Sequence, residues 1–181
     1  MKVFIASAYS TSLDKFLNLA SDVSNVFATR NFDLVFGAAN VSMMGACYKA
    51  FVKNNRKIYA YTVPKYERDF KKIPKAKCYR VKDTLVRFQK MYFRSDYIVI
   101  LPGGIGTLAE LTCAIEEYRA SLGNKKIIIV NYEGFYDDVI NWIRKNIETE
   151  FISETLFDCF YIANSVEDVE KLVEESMVKE K

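Results

Sequence analysis

A chain of 181 residues with 50% hydrophobic content has apolar material for one well-buried core, so a single domain spanning 1–181 is expected. Its 26 basic and 23 acidic residues leave a net charge of +3 spread along the sequence, which argues against nucleic acid or a membrane surface as a partner and is compatible with a phosphorylated small molecule. Histidine is absent, which removes Ser-His-Asp and Cys-His nucleophilic systems and most catalytic metal sites, and leaves acid–base work to Asp or Glu.

In chain order, the β-rich run 3–6 predicts a first strand. Leu13, Phe16, Leu17, Ala20, Val23 and Phe27 then recur at spacings of three and four, the mark of an amphipathic helix. A strand over 34–36, a helix over 44–54 and a strand over 58–62 follow. The stretch 65–77, rich in lysine, with Pro64 just before it and Pro74 within it, reads as a solvated surface excursion. Beyond it come a helix over 83–94, a strand over 97–101, a helix over 108–122, a strand over 127–130, a helix over 136–148, a strand over 160–163 and a helix over 166–175. Such alternation implies βαβ crossovers and a mainly parallel sheet covered on both faces: an α/β, Rossmann-like three-layer domain. In these sheets ligands bind outside the carboxyl ends of the strands.

The apolar run at 3–6 is too short for a signal peptide, and no stretch reaches the roughly 18 apolar residues of a membrane span, so a cytoplasmic location is expected. Cys47, Cys78, Cys113 and Cys159 form no CxxC pair and are read as buried free thiols, with no metal site.

The densest chemical signal is Pro102-Gly103-Gly104-Ile105-Gly106-Thr107-Leu108-Ala109-Glu110. It follows a strand that is apolar throughout and brings three of the chain's seven glycines into four positions, which lets a ligand approach the backbone. A helix beginning near Thr107 would aim its unpaired N–H groups and positive dipole end at the same spot, making an anion site. No Gly-Lys-Ser/Thr ending follows, so the segment is not a Walker A loop. The plainer reading is a capping box, with Thr107 as N-cap and Glu110 reaching back. In the functional reading, phosphate sits at the helix start, against Gly103, Gly104, Gly106 and Thr107. Glu110, one face along and roughly 4.5 Å higher, then meets the attached sugar, where a carboxylate can stabilise an oxocarbenium-like transition state.

These residues resemble the LONELY GUY family of cytokinin-activating phosphoribohydrolases, also labelled lysine decarboxylases, whose signature is PGGxGTxxE. The likeness runs through the Ser7 loop, Gly37 to Gly45, a helix with Met91 and Ser95-Asp96, the signature, and Asn131 with Gly134-Phe135-Tyr136. It implies hydrolysis of a nucleoside 5′-monophosphate, AMP or an N6-prenylated AMP, to free base and ribose 5-phosphate without a cofactor. It also implies a catalytic pair formed by Glu110 and the arginine on the preceding helix, which counting back from Ser95-Asp96 places at Arg87, with Arg94 as the alternative. Asn40 is a further candidate contact, and a homodimer joined near the helices of Arg87 and Glu110 is expected. Departures from the family pattern are Ala109 for a glutamate, Phe88 for a lysine, and Ala38, Ala39 and Ser42 in a loop usually richer in glycine.

Two other classes stay open at this level. One is a non-catalytic nucleotide or molybdenum-cofactor binding protein. The other is a dinucleotide oxidoreductase, since Gly104-x-Gly106-x-x-Ala109 matches GxGxxA, although that pattern belongs in the first βα turn and here follows the fourth predicted strand.

Overall fold

The computed structural model describes residues 1–121 and 125–179. Seven strands form one all-parallel sheet in the order β4-β3-β2-β1-β5-β6-β7: β1 (Lys2–Ala6), β2 (Asp33–Phe36), β3 (Ile58–Thr62), β4 (Lys77–Arg80), β5 (Tyr97–Ile100), β6 (Lys126–Val130) and β7 (Tyr161–Ala163). Alternation along the strands divides the core in two. Val3, Ile5, Leu34, Phe36 and Val99 face α1 (Asp14–Thr29), α2 (Ser42–Lys53) and α6 (Val166–Lys179). Phe4, Ala6, Val35, Ile98 and Ile100 face α3 (Thr84–Arg94), α4 (Ile105–Ser121) and α5 (Asp137–Glu148). The three-layer α/β architecture is therefore as the alternation implied. Among the described residues no helix is long and apolar enough to cross a membrane.

Two expectations need correction. The excursion ends in a strand: β4 pairs parallel with β3 through Tyr59↔Lys77 to Thr62↔Arg80. It escaped the hydrophobic pattern because it is an edge strand with Lys77 and Arg80 exposed at its ends, the charge that keeps an open edge from pairing elsewhere. The signature thus follows the fifth strand. Before β4, 3-10 turns occupy Pro64–Lys72. The cysteines differ from one another: Cys47 and Cys159 are buried, whereas Cys78 on the edge strand and Cys113 are partly exposed, and all four are free. Residue 122, the last of the helix expected over 108–122, lies outside the described residues.

The strand order also locates the site. From β1 the chain steps outward through β2, β3 and β4, then returns to the other side of β1 as β5, in register Val3↔Tyr97 to Ala6↔Ile100. Loops leaving β1 and β5 part there, opening the crevice that such a switch point provides.

Candidate active site

A cavity of 460 Å³ lies at this switch point. Its walls come from the loop after β1 (Ser7, Ala8, Tyr9, Ser10), the loop after β2 (Gly37, Ala39), Met44 of α2, Tyr66, Arg87 of α3, and Gly104, Gly106, Thr107 and Glu110 at the start of α4. Ser42 ties two of these walls together, since its hydroxyl donates to the Thr11 carbonyl at 2.9 Å and accepts from the Thr11 N–H at 2.8 Å.

Helix α4 starts earlier than its sequence suggested. The Leu108 N–H donates to the Gly104 carbonyl at 3.0 Å, which makes Gly104 the N-cap and leaves the N–H groups of Ile105, Gly106 and Thr107 ahead of the first intrahelical bond. Those donors and the positive helix end are directed at the cavity wall, the arrangement that suits an anion. Thr107 is consequently inside the helix, 4% exposed, and no capping box forms. A Cβ on Gly103 would lie 2.2 Å from the Thr107 hydroxyl, so this glycine makes room for Thr107. At Gly104 and Gly106 a Cβ would meet nothing within 4 Å, and neither has positive φ. The fold does not require glycine at either position, and both leave open space on the cavity wall.

Glu110 sits on the next turn, 15% exposed, and faces Arg87, whose Nη2 donates to Oε1 at 3.4 Å. Burial pushes the Glu110 carboxyl up to about 7, against the opposing pull of the Arg87 charge. Arg87 reaches the cavity from the first turn of α3, which Asp83 caps by accepting from the Val86 N–H at 2.8 Å. Met91, one turn along the same face, is fully buried and anchors the helix beneath it. The buried Arg87 Nε has no hydrogen-bond partner among the described residues. A helix start with unpaired N–H groups and a carboxyl raised to about 7, braced by a guanidinium, therefore line one cavity.

A family model described as possible lysine decarboxylase matches residues 44–175. The cytokinin riboside 5′-monophosphate phosphoribohydrolase of Mycobacterium tuberculosis is 32% identical over 178 residues, covering 92% of this chain and 89% of that protein. The enzyme of the same name, LOG3, from Arabidopsis thaliana is 30% identical, covering 86% of this chain and 73% of that protein. The chain belongs to the LONELY GUY family. Among solved structures, the molybdenum cofactor binding protein of Rippkaea orientalis superposes with a TM-score of 0.66 at 17% identity, covering 97% of this chain and 95% of that one, a likeness that shows the fold alone.

Of the site residues expected in this LONELY GUY family chain, the structure gathers Arg87, Gly104, Gly106, Thr107 and Glu110 around one cavity. Gly103 lies behind it, supporting Thr107. Asn40 does not line it: its amide donates to the Lys72 carbonyl at 2.8 Å, securing the excursion after β3. Arg94 is elsewhere, its guanidinium 4.3 Å from the Tyr59 ring centroid and hydrogen-bonded to the Tyr61 hydroxyl. The departures from the family pattern are mostly remote. Ala109 is exposed, Phe88 packs edge-on against Phe4 at 6.4 Å, and Ala38 places its methyl in the core while holding a left-handed φ of 68°. Only Ala39 adds a Cβ to the cavity wall. Sequence reasoning missed Tyr9 and Tyr66, whose rings meet at 6.5 Å at the cavity wall; they come from loops 57 positions apart, and no local pattern links them.

Proposed function

We propose that the protein hydrolyses the N-glycosidic bond of a nucleoside 5′-monophosphate, AMP or an N6-prenylated AMP, to free base and ribose 5-phosphate. The observation that carries this reading is the placement of Glu110, beside Arg87 and one turn beyond an anion-binding helix start, in a single cavity. Phosphate held by the N–H groups of residues 105–107 sets the ribose against Glu110. As the glycosidic bond breaks, positive charge grows on the sugar ring, and the Glu110 carboxylate stabilises it and orients the attacking water. Arg87 holds Glu110 in place through its Nη2 and brings a positive charge to the cavity wall. A carboxyl titrating near 7 takes up and returns a proton at physiological pH.

The names of the relatives support the same reaction. Amino-acid decarboxylation, the label attached to the family model, uses pyridoxal phosphate on a lysine Schiff base, and no lysine is among the described residues lining the cavity. The test is release of base from AMP, GMP, CMP, UMP and a prenylated AMP, followed by chromatography. Adenine or its prenyl derivative, appearing in step with ribose 5-phosphate, is the expected result. Tight binding of the same nucleotides with no base released would replace this reading with a nucleotide-binding protein.

A further inference from the structure

The cavity residues do not account for the turn between β6 and α5, where Asn131, Gly134, Phe135 and Tyr136 lie. Asn131 is buried and fully engaged: its Oδ1 accepts from the Tyr136 N–H at 2.7 Å, and its Nδ2 donates to Asp137 Oδ1 at 2.8 Å. Gly134 holds a φ of +72°, and a Cβ there would come 2.5 Å from the Asp137 carboxylate. This turn fixes Tyr136, which is 2% exposed. Its hydroxyl donates at 2.8 Å to the carbonyl of Leu101, a residue 35 positions earlier and the last before the signature. Leu101 lies just past the end of β5, fully buried, with its N–H donated to the Ala6 carbonyl of β1 at 2.9 Å. The backbone leaving β5 is thus tied on one side to β1 and on the other to α5 through one phenol. Only residues 102–104 separate this double tie from the first turn of α4.

We propose that Tyr136 is a positioning residue: by holding the Leu101 carbonyl it fixes the signature loop and the start of α4, and so sets Glu110 against Arg87. This rests on the hydrolase reading above for its effect on turnover, though not for its effect on geometry. The two members of the pair stand on different helices, and the Tyr136 hydroxyl ties only the loop leading to α4. Arg87 is carried by α3, which Asp83 caps and whose Met91 is buried in the same core cluster as the Tyr136 ring, whereas Glu110 follows the signature loop that the Tyr136 hydroxyl ties. If the tie is released, a bound phosphate moves with the loop that binds it, while the sugar loses its alignment with Arg87. Burial first and the Glu110 charge second raise the Tyr136 pKa, so the phenol stays a neutral donor in the working pH range.

Tyr136→Phe removes the hydroxyl and keeps the ring. The expected result is a fall in kcat of about 10- to 100-fold with KM for AMP within about threefold, because misplacing reacting groups costs turnover while the phosphate contacts persist. A folded Tyr136→Phe variant with wild-type kcat overturns the proposal, and so does one whose only change is a raised KM. A crystal structure of the nucleotide-free variant gives a readout independent of the reaction: residues 102–104 and Glu110 are expected to shift relative to Arg87, and an unmoved loop overturns the proposal. If the wild type releases base from no monophosphate, the hydrolase reading fails, and the structure of the variant still decides the role of Tyr136.

Discussion

Glu110 enters the cavity from the second turn of α4, where burial raises its carboxyl to about 7. Its ordinary value is 4.5, so between about 4.5 and 7 the folded protein holds a proton that the unfolded chain releases. Stability of the nucleotide-free protein therefore falls as pH rises through that window, and the penalty is constant above it. Glu110→Gln removes this slope, and thermal melts at pH 5 and pH 8 check it: the wild-type Tm should drop between them by more than that of the variant. For turnover the sign is opposite. In the proposed hydrolysis the working form is the carboxylate, so kcat/KM should rise with pH to a plateau above about 7. A pH–rate profile flat from 5 to 8 would remove Glu110 from that role. The identity of this residue was legible from its place in the signature, but its environment was not, because the burial comes from loops and helices distant in sequence.

At the scale of elements, the strand–helix alternation carried most of the fold, since each helix buries one stripe and each central strand is apolar on both faces. What it hid follows from the same physics. β4 is an edge strand with no continuous apolar run, and the start of α4 was set too late because Ile105 and Gly106 carry no capping signal of their own. The corrected start separates the roles of the signature glycines. Gly103→Ala would press a methyl onto Thr107 and is expected to cost about 1–3 kcal/mol of stability without any ligand. Gly104→Ala meets open space, so its stability should stay within about 0.5 kcal/mol of wild type while nucleotide affinity falls. Denaturant melts and calorimetry on the two variants separate these effects. Unchanged affinity in a folded Gly104→Ala protein would move the phosphate away from the helix start.

For the whole molecule, apolar surface remains uncovered around the helices that carry Arg87 and Glu110. Leu85 and Phe93 of α3 are 74% and 60% exposed, and Ile105 at the start of α4 is 83% exposed. Beside α4, a groove of 720 Å³ is lined by Leu108, Leu111, Ile115, Trp142, Phe151 and Ile152. We propose that a second copy of the chain covers this face in a two-fold dimer, which would set each cavity near the partner. Light scattering at micromolar concentration is expected to give twice the chain's 20.9 kDa, and Trp142→Glu should shift the mass toward that of one chain. A wild-type mass near 20.9 kDa would refute the dimer.

The central claim divides labour within one cavity: the start of α4 holds the phosphate, and Glu110 acts at the sugar. Comparing wild type with Glu110→Gln on the nucleotide that the wild type cleaves best, by base release and by calorimetry, tests it most directly. The account predicts that turnover falls by about 10²–10³-fold, the typical loss for one transition-state charge interaction, while nucleotide affinity stays within a few-fold. A folded Glu110→Gln protein that keeps more than about half of the wild-type rate would contradict it.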